Sequence, residues 1–409
     1  FSAPFACASH DKDDVFNYGN KAALALWELP WEEFVGMKST KSADEGDSAT
    51  QAERLRAWMG SGTSMLDLRA EKDFERRRFD GAVNIPFGDL DGRLHELPPR
   101  GTPLSVLLKQ PDGPDDAATF EAQLRVFAAD FKSNPWRVES AFVPGDALFL
   151  EIATRAGARV ASGAAPREAR GRLWEPSDAV ARWLPRIERR TREEDAARGA
   201  ARNVLVDLGC GAGRDAVFAA LRGWHVLALD SDAKGLARCA ALAATHGVAS
   251  AVRGVRVDLR KETPEALVAR AVREAAAFST ALRAPRARLT FMAVRYMNRP
   301  LTRALPALLP AGAFVCWFHF TRGAELTPVG RPNKARDLLE AGELKDAFER
   351  GEGWEVLCDG QTALPDGRPV SEFVAARRCG EREETGEKRE ELSLIHISEP
   401  TRPRLISYA

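Results

Sequence analysis

The stretch that constrains this chain most is NVLVDLGCGAGRDAVFAALRGWHVLALD, from Asn203 to Asp230. It opens on an apolar run, Val204 to Leu208, of the length of a buried parallel strand. Three glycines follow, Gly209, Gly211 and Gly213. Ala216, Val217, Ala220 and Leu221 then recur at helical spacing, and Gly223 stands where a helix would stop. Trp224 to Leu229 reads as a second strand that closes on Asp230. Strand, glycine turn, helix and strand with a terminal acid make the first half of a nucleotide-binding α/β sheet.

The glycine spacing separates two kinds of ligand. A dinucleotide fingerprint sets its third glycine three residues after the second, but Arg214 stands there and the glycine is Gly213. Asp207 lies two residues ahead of the first glycine, where a carboxylate suits a cationic amino group better than a pyrophosphate. Asp230 is placed to accept hydrogen bonds from ribose hydroxyls. Bare backbone at Gly209 and Gly211 lets a ligand lie close. On these residues the stretch resembles the class I S-adenosylmethionine (SAM)-dependent methyltransferases. The resemblance implies SAM as cofactor. It implies contacts from Asp207, Gly209, Cys210, Gly211, Gly213, Asp230 and Ser231, with Asp258 and Leu259 at the adenine edge.

Composition bounds the rest. The 409 residues suggest two or three domains with ample core. The 59 basic and 59 acidic residues cancel, so no global field points to nucleic acid or a membrane. No apolar run is long enough for a membrane span. The six cysteines are scattered with no C-x-x-C pair, which argues against a zinc ribbon or disulfide framework. No metal site is expected, and a reducing, intracellular, cytoplasmic setting is. The chain opens on Phe1, as a fragment would, so an organelle address stays open. Residues 392–409, LSLIHISEPTRPRLISYA, resemble the translation of a sequencing-library adapter and are given no role. The charged run 381–391 before them reads as a solvated tail.

Residues 1–50 read as an extension and linker. From Gln51 a helix is expected, then a short strand at Met65 to Leu68. Asp67, Arg69, Phe74, Gly81, Ala82, Asn84, Ile85 and Pro86 stand in the order seen in rhodanese-like domains. The resemblance implies an α/β unit over 51–162, with strands at 103–108 and 137–143 and helices at 117–130 and 146–156. Sulfur transfer in that family needs a cysteine just after the central strand. Here Leu108 is followed by Lys109, Gln110, Pro111, Asp112 and Gly113, and no cysteine occurs between Cys7 and Cys210. The unit is therefore expected to be catalytically inactive.

Residues 163–174 read as a linker and 175–380 as a Rossmann-like, seven-stranded methyltransferase domain. An amphipathic helix is expected over 179–190, flanking the cofactor mouth, and a solvated one over 191–202. Strands follow at 254–257, 288–294 and 313–320, and helices at 233–245, 262–281 and 300–309. Strand ends at the carboxyl edge line the crevice of such a sheet. That edge is expected to bring Arg295, Tyr296, Met297 and Asn298 beside the methyl group, with His319 on the same rim. Arg295 suits an anionic substrate or a loop acid. His319 suits a general base or a packed core residue. RYMNRPL, AGAFVCWFHF and GRPNKARDLLEAGEL resemble the tellurite-resistance-like, small-molecule branch of the family. That branch implies a small-molecule acceptor, and the joining of a sulfur-handling fold to a methyltransferase points to a thiol, selenium or tellurium species. Two other readings stand beside it: a methyltransferase on protein or RNA docked by the first unit, and a non-catalytic SAM-binding scaffold. Nucleic acid is the less expected partner, and nothing in the sequence fixes the oligomeric state.

Overall fold

The computed structural model describes residues 46–99, 102–109, 137–142, 148–164, 171–198, 201–281 and 287–379. The readings for 1–45, 117–130 and 381–409 lie outside the described residues. The apolar runs separated by glycine turns form two sheets, each with its own cores.

The first sheet is built from α1 (Gly46–Ser61), β1 (Ser64–Asp67), α2 (Glu71–Arg76), β2 (Arg78–Phe79), β3 (Val83–Asn84), α3 (Leu90–Arg93), β4 (Pro103–Leu107), β5 (Arg137–Phe142), α4 (Phe149–Ala156) and β6 (Val160–Ala161). Its strand order is β3-β1-β4-β5, all parallel, with β2 and β6 paired separately. Leu104 and Val106 face one side with Leu66, Ile85 and Leu90, while Leu107 and Met65 face the other with Leu55, Phe142 and Ile152. A parallel sheet buried on both faces explains why β4 is apolar nearly throughout.

The polar residues of this unit have a local structural task. Asp67 and Arg69 form a buried ion pair, with Arg69 Nη2 2.6 Å from Asp67 Oδ2. Arg69 Nη2 also donates to the Arg77 carbonyl at 2.7 Å, and the guanidinium lies 5.0 Å from the centre of the Phe149 ring. Asn84 Nδ2 donates to the carbonyls of Asp67 and Arg69 at 2.9 and 2.8 Å. The string LDLR…GAVN thus pins the end of β1 to β3.

The second sheet follows α5 (Asp178–Arg198). Its elements are β7 (Arg202–Leu208), α6 (Arg214–Leu221), β8 (His225–Asp230), α7 (Ala233–Thr245), β9 (Val252–Arg256), α8 (Pro264–Ala281), β10 (Ala287–Val294), α9 (Arg299–Leu308), β11 (Phe314–Phe320), α10 (Glu343–Glu349), β12 (Trp354–Ala363) and β13 (Pro369–Arg377). The order is β12-β13-β11-β10-β7-β8-β9, with β13 alone antiparallel to its neighbours. The chain leaves β7 towards β8 and β9, then returns to β10 on the other side. That reversal is the switch point at which open α/β sheets hold ligands. One face carries α5, α6 and α7, and the other α8, α9 and α10, as the two large apolar clusters show.

Among the described residues the expected order of elements is present, with shifted ends. The helices read as separate over 179–190 and 191–202 are one helix, α5, because Ile187, Glu188 and Thr191 continue its buried face. The connector 163–174 ends in two buried residues, Leu173 and Trp174. Among the described residues, no helix is long and apolar enough to cross a membrane.

Candidate functional site

The switch point collects acids. Asp207, near the end of β7, is 2% exposed, and its Oδ2 is buried without a partner. Burial raises its carboxyl well above the ordinary carboxylate value, and the nearby Asp215, Cys239 and Asp230 push it the same way. A buried acid with a free oxygen and no cation beside it is complementary to a positively charged ligand.

Asp230, at the end of β8, bridges the glycine turn to the next helix. Its Oδ2 accepts from the Gly211 amide at 2.8 Å, and its Oδ1 accepts from the Asp232 amide at 2.9 Å. Asp232 in turn caps α7, accepting from the amides of Lys234 and Gly235. Ser231 is exposed, and its carbonyl accepts from Arg256 Nε at 3.2 Å.

The three glycines do different things. Gly213 has φ +83° and starts α6; a Cβ there would stand 2.2 Å from Cys239 Sγ. Gly209 makes room for the Tyr296 ring, whose atoms would lie 3.2 Å from its Cβ. At Gly211 nothing lies within 4 Å of that position. So the open backbone expected at both Gly209 and Gly211 occurs at Gly211, while Tyr296 fills the space at Gly209. Cys210 Sγ donates to the Gly211 carbonyl at 3.7 Å.

The carboxyl ends of β9 and β10 supply the rest. Asp258 Oδ1 accepts from the Arg260 amide at 3.1 Å, and Lys261 Nζ lies 3.5 Å from its Oδ2. Leu259 is buried, and its carbonyl accepts from Asn298 Nδ2 at 2.9 Å. The same nitrogen donates to Tyr296 Oη at 3.3 Å, and Asn298 Oδ1 caps α9 through the Leu301 amide. Burial raises the Tyr296 phenol. Arg295 has φ +56°, the one positive φ outside glycine among the described residues, and its amide donates to the Phe318 carbonyl at 2.7 Å. Asn298 therefore links the β9 end, Tyr296 and α9.

His319 is on β11, 4% exposed, with Nε2 2.9 Å from the Asp337 carbonyl and Nδ1 buried without a partner. Burial lowers its pKa. Its charged surroundings are Asp337 and the Arg299–Glu343 ion pair, in which Arg299 Nε is 2.6 Å from Glu343 Oε1. The structure thus brings Asp207, Gly209, Gly211, Asp230 and Tyr296 together, and holds His319 on the Asp337 carbonyl.

Two residues of the site had escaped the sequence reading. Asp215 accepts from the Ser177 amide at 2.7 Å, tying the entry of α5 to the start of α6. Burial raises its carboxyl. Arg214, in the first turn of α6, is surrounded by Asp215 and Arg295, and burial lowers its guanidinium. The glycine spacing marked position 214 only as a missing glycine.

Comparison with known proteins adds the following. The family model of the MEKHLA domain matches residues 1–67, which includes the stretch read above as an extension and reaches through α1 and β1. Uncharacterized protein UNK4.09 of Schizosaccharomyces pombe (strain 972 / ATCC 24843) is 23% identical over 331 residues, 76% of this chain and 93% of that protein. Among solved structures, TehB from Haemophilus influenzae is similar with a TM-score of 0.30 and 16% identity, over 46% of this chain and 61% of that one. The magnesium protoporphyrin IX methyltransferase ChlM from Synechocystis PCC 6803, with bound SAH, gives 0.32 and 12%, over 48% of this chain and 83% of that one. The [4+2]-cyclase SpnF gives 0.33 and 15%, over 49% and 81%.

Proposed function

We propose that this chain is a SAM-dependent methyltransferase acting on a small molecule. The observation that carries the reading is the buried, unpartnered Oδ2 of Asp207 beside the Asp230–Gly211 bond, at the switch point of the sheet. The residues present fit the cofactor: Asp207 would hold the ammonium group, Gly211 gives open backbone, Asp230 would take the ribose hydroxyls and Asp258 the adenine edge. SAM supplies a methyl group already activated on a sulfonium, so the protein has to bind, align and exclude water. Tyr296, packed on Gly209 and hydrogen-bonded to Asn298, walls the crevice. A thiolate or selenide acceptor asks for no base. A hydroxyl or amine acceptor asks for one, and His319 is the imidazole at the end of β11.

The first unit is read as a rhodanese-like module that carries no sulfur. Its four parallel strands and the Asp67–Arg69–Asn84 network support the likeness. The first residues after β4 are Leu108 and Lys109, neither a nucleophilic thiol.

The test is calorimetric titration of SAM and S-adenosylhomocysteine (SAH) into the protein and into Asp230→Ala. Saturable binding that weakens at least about tenfold in the variant is expected, since charge-assisted hydrogen bonds are lost. A folded protein that binds neither ligand would remove the reading.

A further inference from the structure

Residues 171–177 belong to neither sheet and are fastened to both units. At one end Gly171 lies on Val83 of β3, where a Cβ would stand 3.0 Å from the valine methyl, and Leu173 is buried in the first unit's core. At the other end this strap runs along α6. The Arg172 guanidinium lies 5.2 Å from the ring centres of both Trp174 and Phe218, and Ser177 donates its amide to Asp215 Oδ1 at 2.7 Å. Asp215 and Phe218 stand three residues apart, on one stripe of α6. A core residue of the first unit, Leu173, is thus joined to a residue held by α6, Ser177, by a short piece of backbone anchored at both ends.

Asp215 holds a particular place on that path. It is in the first turn of α6, two residues beyond Gly213, which starts the helix and whose amide donates to the Cys210 carbonyl at 2.9 Å. The strap is therefore fixed to the turn that ends the loop following Asp207 and bonded to Asp230. An amide on a carboxylate oxygen is a charge-assisted hydrogen bond, shorter and stronger than a neutral one. Losing it frees the entry of α5, where the Ser177 carbonyl accepts from the Ala181 amide at 2.9 Å. The bond asks only for an acceptor oxygen. An asparagine can supply that oxygen, whereas attraction of a cationic ligand needs the charge.

We infer that Asp215 is a positioning residue: through Ser177 it locks residues 171–177 to the ligand loop, so that ligand affinity in the second unit depends on the seating of the first. The inference rests on the methyltransferase reading for the ligand, SAM or SAH, and not for the strap itself. Such coupling is reciprocal, so a ligand that needs the strap in place also tightens it.

The experiment measures SAH affinity by calorimetry in the full chain and in Asp215→Asn, Asp215→Ala, Ser177→Pro and Leu173→Ala. Amide hydrogen exchange read by NMR follows Ser177 wherever its N–H remains. Thermal melts check that each variant is folded, and Ser177→Pro removes the same bond from the donor side should Asp215→Ala fail to fold. Expected is SAH affinity in Asp215→Asn within about twofold of the parent, and a loss of about fivefold or more in the other three variants. The double variant Asp215→Ala/Ser177→Pro should bind no more weakly than either single one, because one bond is lost only once. SAH should slow exchange at Ser177 in the parent but not in Asp215→Ala or Leu173→Ala. An asparagine variant as weak as the alanine one would make Asp215 a charged partner of the ligand and overturn the inference. SAH affinity unchanged in Leu173→Ala would part the first unit from the ligand loop and overturn it too. If the parent does not bind SAH, the methyltransferase reading falls and the Ser177 amide decides the strap. Slow exchange in the parent and Asp215→Asn, with fast exchange in Asp215→Ala and Leu173→Ala, would keep the lock between the units; equal rates in all four would end it.

Discussion

Leu173 and Trp174 are neighbours in the chain and belong to different cores. Leu173 packs with Leu66, Ile85 and Val106 of the first sheet, and Trp174 with Val180, Leu205 and Trp224 of the second. Gly171 lies against Val83, where a Cβ would come within 3.0 Å of the valine methyl. The join is therefore wedged at both ends rather than free to swing.

Trp174 also donates from Nε1 to His246 Nε2 at 3.0 Å inside the second unit. Trp174→Ala is expected to lower stability by about 3–5 kcal/mol, from the cavity and the lost Nε1 hydrogen bond. Urea denaturation checks the magnitude. Two separate transitions in the variant, where the parent shows one, would show that the join couples the units.

Replacing single glycines of the loop should give unequal results. Gly213→Ala drives a methyl into Cys239, with φ +83° against it, and is expected to abolish SAM binding and lower the melting temperature. Gly211→Ala meets no atom and carries only the left-handed penalty, about 1–2 kcal/mol. Equal melting temperatures for the two variants would contradict the packing described.

The outline of this site was legible because its parts are close in sequence. Val204 to Asp230 spans strand, turn, helix and strand, and each boundary has a local physical signal. Tyr296 on Gly209 was not legible, since only the β7–β10 pairing brings them together. Strand alternation could set His319 on one face of β11 but not reveal that the Asp337 carbonyl would meet it. In the first unit, the motif was read as a resemblance before its task was visible. Asp67, Arg69 and Asn84 are a hydrogen-bonded brace.

That brace makes its own prediction. Arg69→Ala leaves the fully buried Asp67 carboxylate without its cation and is expected to destabilise by about 3–5 kcal/mol. Asn84→Ala removes two bonds to carbonyls and should lower stability less, by about 1–3 kcal/mol. Chemical denaturation of both variants compares them directly.

Asp207 predicts a pH dependence of stability in the ligand-free protein. Its folded-state value lies above the unfolded one, raised first by burial and then by Asp215, Cys239 and Asp230. Such a carboxyl binds more protons in the folded chain. Its contribution is therefore complete below the unfolded value, about 4, and is lost as the pH rises through the raised value. Asp207→Asn should lose that dependence, gaining stability over the parent towards neutral pH while binding SAM more weakly. Denaturation midpoints across pH 4 to 8, about the range where proteins are normally stable, read the sign. A cationic ligand lowers the Asp207 value again, so SAM binding should release protons to the buffer.

β13, the last strand in sequence among the described residues, is an interior strand in space. It is clamped between β11 and β12, pairing Trp317 with Phe373 on one side and Val356 with Ala375 on the other. During synthesis the ribosome must therefore deliver Pro369–Arg377 before either neighbour can satisfy its backbone. Until then β11 and β12 each present an open edge, and every residue of β11 except His319 is apolar. Nascent chains stalled ahead of β13 are therefore expected to be more aggregation-prone than chains that carry it, and the demand for chaperones to fall between the synthesis of β11 and that of β13.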